Sequence, residues 1–260
     1  MEASVKGPAR AKPTLVLRKA LDVLDAFTLA GPELTLSEIR AAVDLPATTC
    51  GRLVGNLADE GLLDRVADRY RISLAVLRWS AAALRGLGLV DRLTPVIERL
   101  RDRTGESAAV FVPEGLDRTC VAVAATRHSV IWQLHVGMST PLHVGSGGRA
   151  ILAFDPDAIE QTLARARVAL TDHTLVDAGR LRAALAATRD TGLAISDSEL
   201  DTGVAGVSAP VFGAGPKAIA SIGVAGPAQR FTGADIAGYR PAVLDAARTA
   251  TRHLGGEFPW

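Results

Sequence analysis

Cysteine is nearly absent from these 260 residues: only Cys50 and Cys120 occur, too few for a disulfide framework. The five histidines, His128, His135, His143, His173 and His253, form no i, i+4 pair and have no cysteine partner, so no metal site is expected. Lysine is confined to Lys6, Lys12, Lys19 and Lys217, and arginine supplies nearly all the positive charge. No apolar run is long enough to cross a bilayer; the longest, around Leu74 to Val90, is broken by Arg78 and Arg85. The first dozen residues are polar with Gly and Pro, unlike a signal peptide. A formal charge of +1 with 48% apolar residues describes a globular chain, neither disordered nor membrane-spanning, and the cytoplasm is the expected compartment. The length suits one large domain or two ordinary ones.

What is present is most informative between Thr35 and Arg71. Thr35 followed three residues later by Glu38 is a capping box, in which each side chain satisfies an orphan amide at a helix start. That helix is short, because Asp44-Leu45-Pro46 interrupts it and Pro46 suits the first turn of another. In the second helix Cys50, Leu53, Val54 and Leu57 share one apolar face. Thr48, Thr49, Gly51, Arg52, Gly55 and Asn56 occupy the other. Two short helices, a tight turn and a small, polar outer face describe a helix-turn-helix with a recognition helix. Leu62–Val66 and Tyr70–Ser73 then read as a hairpin around Ala67-Asp68, the wing of a winged helix, bearing Arg65, Arg69 and Arg71. The plainer reading is a helical hairpin with a solvated loop that touches no nucleic acid.

Charge complicates the picture. From Met1 to Lys19 there are five basic residues and one acid, but from Ala20 to Ala75 five basic and nine acidic. Attraction to phosphate scales with basic contacts. DNA binding therefore requires segregation, with basic groups of arm, second helix and wing on one side and acids on the other.

Residues 1–13 lack periodicity and read as a flexible arm, whose Lys6, Arg10 and Lys12 either reach a minor groove or are merely solvated. A helix capped by Thr14 is expected through Ala30, with Leu17, Ala20, Leu21, Val23, Leu24 and Phe27 as its apolar stripe. Residues 14–75 thus form the first domain, 76–92 a linker helix, and 93–260 a second domain. The linker pattern, Leu74 to Arg92, is expected to be one helix. Another follows over Thr94–Thr104, capped by Thr94 with Pro95 at its first position. Strands are expected at Ser107–Pro113, Thr119–Ala125, Val130–Val136, Leu193–Ser196, Val207–Phe212 and Ala218–Ala225. Helices cover Gly147–Ala153, Asp157–Ala166, Asp177–Asp190 and Gly233–Leu254. Strands grouped around central helices give an α+β class, an antiparallel sheet flanked by helices.

This order of parts resembles the IclR family of bacterial transcription regulators over nearly the whole chain. The resemblance rests on Leu17–Leu24, Leu36–Ile39, Leu45–Leu53, Arg69–Ile72, Pro141–Phe154, Asp201–Val211 and Ala220–Pro227 in the family's order. It implies an N-terminal winged helix-turn-helix, a linker helix and a C-terminal GAF-like effector-binding domain, assembled as a homodimer or tetramer. It implies a regulator of a metabolic operon and no enzyme, with no cofactor. The partners implied are double-stranded DNA, at a pseudo-palindromic operator, and a small-molecule effector. Arg52 and Asn56 are the candidates for base edges, Thr48 and Thr49 for phosphates, and Arg65 and Arg69 for the wing's contacts; Thr35, Ser37 and Gly51 complete the DNA-facing set. Ala47 stands where the family usually has lysine. The effector set is His143, Gly145, Ser146, Gly147, Ser196, Gly206, Ser208, Gly223 and Ala225. Where family members that bind small acids carry an aspartate, a cysteine and two serines, this chain has Ser196, Gly206, Gly223 and Ala225. That implies a wider, less polar pocket for an organic acid or a bulkier apolar metabolite, or else a repacked core that binds nothing.

Other motifs are weaker. Gly145-Ser146-Gly147-Gly148 before a helix offers amides to an anion, or is simply a glycine-rich turn. Val144 disqualifies it as a nucleophile elbow. Gly213–Lys217 lacks phosphate-loop spacing and reads as a hairpin turn. Asp197 and Glu199, two apart, are weak candidates for acid–base work. Two rivals remain: an enzyme using the winged helix for assembly, and a DNA-binding protein whose second domain only oligomerises.

Overall fold

The computed structural model describes residues 15–260, so the expected arm and the Thr14 cap lie outside the described residues. The chain forms two compact units, Met1–Ala83 and Leu84–Trp260.

In the first unit, α1 (Leu15–Ala30) leads to β1 (Glu33–Thr35), α2 (Leu36–Ala42), α3 (Ala47–Asp59), β2 (Leu63–Val66) and β3 (Arg69–Ile72). The three strands form an antiparallel sheet in the order β1-β3-β2, with Val66 opposite Arg69 across the two-residue turn. The capping box forms as expected: Thr35 N–H donates to Glu38 Oε2 at 2.7 Å and Glu38 N–H to Thr35 Oγ1 at 3.2 Å. Pro46 is the cap residue of α3 rather than its first helical residue. The core joins Val23, Ala26 and Phe27 of α1 to Ile39 and to Cys50, Leu53, Val54 and Leu57 of α3. Only part of the α1 stripe is used, since Leu17 and Leu21 are 65% and 55% exposed. Strand β1 was not expected; three residues are too few to show a period.

One helix over Leu74–Arg92 is not what forms. A 3-10 turn at Leu74–Val76 precedes α4 (Leu77–Leu87), which ends at Gly88, with φ +61. Helix α5 (Val90–Thr104) starts four residues before the expected Thr94, with Pro95 inside it. Thr94 is not a cap; its hydroxyl donates back to the Val90 carbonyl at 2.8 Å. Burying Leu93 offsets the hydrogen bond that proline lacks.

The second unit is built on a six-stranded antiparallel sheet, order β6-β5-β4-β9-β8-β7. Its strands are β4 (Ser107–Glu114), β5 (Asp117–Ala124), β6 (Ser139–Pro141), β7 (Ala194–Asp197), β8 (Val204–Phe212) and β9 (Ala218–Pro227). α5 and α9 (Gly233–His253) pack against one face through Val96, Ile97, Val243 and Ala247. The other face is covered by α6 (Gly145–Leu152), α7 (Pro156–Leu163) and α8 (Ala178–Thr191), through Ile151, Leu152, Leu181 and Leu185. Burial on both faces explains the nearly continuous apolar texture of β8 and β9.

Val130–Val136 forms no strand, contrary to its alternating pattern. The alternation is real, with Trp132 and Leu134 half-buried and Ile131, Gln133 and His135 exposed. It arises because one side of an extended loop covers a cavity, which the period alone cannot distinguish from sheet pairing.

Candidate functional site

The outer face of α3 is exposed at Ala47, Thr48, Arg52 and Asn56, while Thr49, Gly51 and Gly55 are half-buried. Arg52 makes no ion pair or hydrogen bond among the described residues. The wing arginines are more engaged. Arg69 donates to the Glu33 carbonyl at 2.8 Å and to Glu38 Oε2 at 3.0 Å, tying the wing to the first turn of α2. Those partners, with the Thr35 amide foremost, hold the Glu38 carboxyl below the usual carboxylate range. Arg71 lies 3.6 Å from Asp64 and 3.9 Å from Glu33. Arg65 stays exposed, its Nε donating to the Ala67 carbonyl at 3.2 Å. Several acids of this net-negative unit are thus matched to its own arginines, while Arg52 and Arg65 are two of those without a carboxylate partner among the described residues. Thr35 is committed to its cap, whereas Ser37 is exposed in the first turn of α2.

In the second unit the glycine-rich turn forms the first turn of α6, and a cavity lies between it and the sheet. Gly145, Ser146 and Gly147 line it from α6, Ser196 from β7, Gly206 and Ser208 from β8, and Gly223 and Ala225 from β9. Sequence reasoning named all eight, and the fold brings them together from four separate segments. His143 is the exception. It is buried away from the cavity lining, its Nε2 donating to the Val168 carbonyl at 3.0 Å, and burial lowers its pKa.

The expectation of a wider pocket is corrected. The cavity is narrow, because neighbouring side chains occupy the room that the glycines leave. Gly206 and Gly223 did not leave vacant volume. A Cβ on Gly206 would stand 2.8 Å from Ser146 Oγ, and one on Gly223 would collide with Ser208. The two serines fill that space and bond to each other at 3.0 Å.

Two charged residues complete the site. Glu199 is buried and ion-paired with Arg149 of α6, and it also accepts from the Gly145 amide at 3.2 Å. That interaction removes Glu199 from the acid–base reading and occupies one of the amides offered to an anion. The Gly213–Lys217 segment links β8 to β9, and Lys217 Nζ reaches Asp155 at 2.8 Å and Asp157 at 3.0 Å, so it presents no phosphate-loop lysine.

The second, Arg118, was missed. It lies on β5 in phase with Cys120, one residue before the strand's expected start, and its side chain lines the cavity while only 4% of the residue is exposed. Its guanidinium carbon lies 4.0 Å from the Phe111 ring centroid, and Nε has no hydrogen-bond partner. Burial pushes its pKa down to about 10, and burial likewise pushes the neighbouring Cys120 thiol up to about 12, so no thiolate balances the cation. A lone charged residue on the inward phase of an otherwise apolar strand was the available signal.

Among the described residues no cluster of His, Cys, Asp or Glu could hold a metal ion, and no helix is long and apolar enough to cross a membrane. Residues 16–67 match the IclR helix-turn-helix domain, and residues 81–252 the bacterial transcriptional regulator IclR C-terminal domain. The HTH-type transcriptional regulator BhcR of Paracoccus denitrificans is 31% identical over 236 residues, covering 89% of this chain and 84% of that protein. The crystal structure of an IclR transcriptional regulator from a Silicibacter species superposes with a TM-score of 0.75 at 27% identity, over 94% of this chain and 98% of that one. An IclR homologue from Microbacterium hydrocarbonoxydans, crystallised with 4-hydroxybenzoate, gives 0.69 at 24% identity over 91% and 99%. A winged helix with an exposed polar recognition face is followed by an antiparallel sheet closed over a small cavity, and with these matches the chain belongs to the IclR family of bacterial transcriptional regulators, a family of DNA-binding regulators rather than enzymes.

Proposed function

We propose that this regulator is controlled by a small metabolite held in the cavity beneath α6, and that it binds a pseudo-palindromic operator as a homodimer or tetramer. The observation that carries the reading is the convergence of Gly145, Ser146, Gly147, Ser196, Gly206, Ser208, Gly223 and Ala225 on one space. That space combines apolar walls with a few polar groups, as small-molecule sites do. The regulator seen with 4-hydroxybenzoate is consistent with a fold of this kind accepting an aromatic acid. Arg52 and Asn56 read base edges, Thr48 and Thr49 contact phosphate, and Arg65 supports the wing. Arg69 and Thr35 act indirectly, holding wing and α2 together. The exposed leucines of α1, Leu17 and Leu21, together with Leu77 and Trp79 of α4, supply apolar surface for assembly with a second copy. Effector binding shifts DNA affinity by a coupling of about 1–3 kcal/mol.

The test is fluorescence anisotropy of the full chain on its own upstream DNA and on a scrambled control, at two salt concentrations, with and without small organic acids. A preference of about a hundredfold or more for the upstream fragment is expected, reduced by an effective acid. Equal, weak, salt-sensitive binding to both fragments overturns the reading. The narrowness of the slot favours one alternative, a second unit that only oligomerises; there, no metabolite raises the thermal midpoint.

A further inference from the structure

We infer that Arg118 is the anion anchor of the cavity, and that the ligand is a slender or planar carboxylate gripped by its guanidinium. The inference rests on reading the cavity as a ligand site and names the chemical class that the site selects.

Buried cations in folded proteins are paired, because an isolated one is costly to desolvate. This unit shows both cases on the same side of the same sheet. Arg149 is buried and paired, with the Glu199 carboxylate and the Ile195 carbonyl, and only its Nε lacks a partner. Arg118 is equally buried but makes no ion pair or hydrogen bond among the described residues; the Phe111 ring is its one favourable neighbour. The ring's negative face partly compensates a cation but accepts no N–H along the guanidinium plane.

The glycines show where the free donors lie. A Cβ on Gly147 would stand 3.3 Å from Arg118 Nη1 and 3.0 Å from Phe111, and one on Gly145 would stand 3.5 Å from Arg118 Nη2. The guanidinium edge thus lies against the first turn of α6, where any larger residue would crowd it. Ser146 and Ser208 bring hydroxyls to the same cavity, while Trp132, Leu134 and Val204 supply its apolar wall. A fork of donors at one side and an apolar slot beside it match a carboxylate carried on a flat or narrow apolar body. The Ser146–Ser208 pair fills the room beside Gly206 and Gly223, which favours a slim body over a bulky one.

The experiment titrates the full chain with matched pairs, benzoate against benzamide and phenylacetate against phenylacetamide, up to about 10 mM, following the thermal midpoint and tryptophan fluorescence. At least one acid is expected to stabilise the protein where its amide does not. In Arg118→Met the apparent Kd of that acid rises about a hundredfold, and in Arg118→Lys about tenfold with the preference for acid retained. The ligand-free midpoint of Arg118→Met stays at or above that of the parent chain, which a merely structural arginine would not allow. No response to either acid, amides binding as well as acids, or undiminished acid binding by the variants overturns the inference. Should Arg118→Met not fold, the inference falls, because a structural role predicts that collapse; Arg118→Lys checks it independently through its acid-over-amide ratio. If amides bind and also release upstream DNA, ligand control survives and only the anchor falls. If no compound changes either midpoint or DNA binding, both readings fall.

Discussion

Arginine serves opposite ends in the two units of this chain. On the recognition helix Arg52 is unpaired and exposed, where water screens its charge and holding it free costs little. In the second unit Arg118 has no ion pair or hydrogen bond among the described residues and is buried, so its charged form is disfavoured. A free cation at the surface is ready for phosphate or a base edge. A free cation lining a cavity, with its charged form disfavoured by burial, is poised for an anion. Arg149 is the internal control: as deeply buried as Arg118, yet ion-paired within the chain by Glu199.

Breaking that control should have the largest effect. Glu199→Ala leaves Arg149 buried without its carboxylate and the Gly145 amide without its acceptor, and is expected to cost about 3–5 kcal/mol in urea unfolding. Arg118→Met should move stability the other way. Burial pushes its pKa down to about 10 in the folded chain, so the charged form is penalised. At neutral pH both folded and unfolded states are protonated and the penalty is complete; it fades only as pH rises above about 10. Removing the charge is therefore expected to stabilise the ligand-free protein by up to about 3 kcal/mol, with the gain constant between about pH 6 and 9. A loss of stability would instead make Arg118 a structural residue.

Arg52→Ala sharpens the other side of the comparison. Stability should change by less than about 0.5 kcal/mol, while specific operator binding weakens by about 1–3 kcal/mol and non-specific binding by much less. Equal losses on operator and scrambled DNA would reduce Arg52 to a phosphate contact. The smallest effect is expected from Thr35→Ala, at about 1 kcal/mol of thermal stability, through loss of the α2 cap. Glu38 would keep Arg69 but lose its hydroxyl partner.

The legibility of the chain followed the range of the forces involved. The capping box at Thr35 and Glu38 and the buried row Cys50, Leu53, Val54 and Leu57 are set by neighbours within two turns, and all form as expected. The glycine-rich turn before α6 was legible because its composition suits few other structures. Pro95 misled because burial of Leu93, supplied by a sheet that follows later in the chain, outweighs a proline's preference for a helix start. Val130–Val136 misled because an extended segment over a cavity and a sheet strand share the same period.

By itself, then, the sequence determined the α+β class and the winged helix, since helix caps, apolar periods and glycine turns are local properties; the eight residues that meet at the cavity were legible through the resemblance to the IclR family. Tertiary structure alone decided what those residues enclose. Gly206 and Gly223 suggested extra room until Ser146 and Ser208, distant in the chain, were seen to fill it. Whether a buried arginine is satisfied or waiting depends on which carboxylate arrives from elsewhere in the fold. Glu199 reaches Arg149, and none reaches Arg118 among the described residues, a difference of long-range placement that no local pattern encodes.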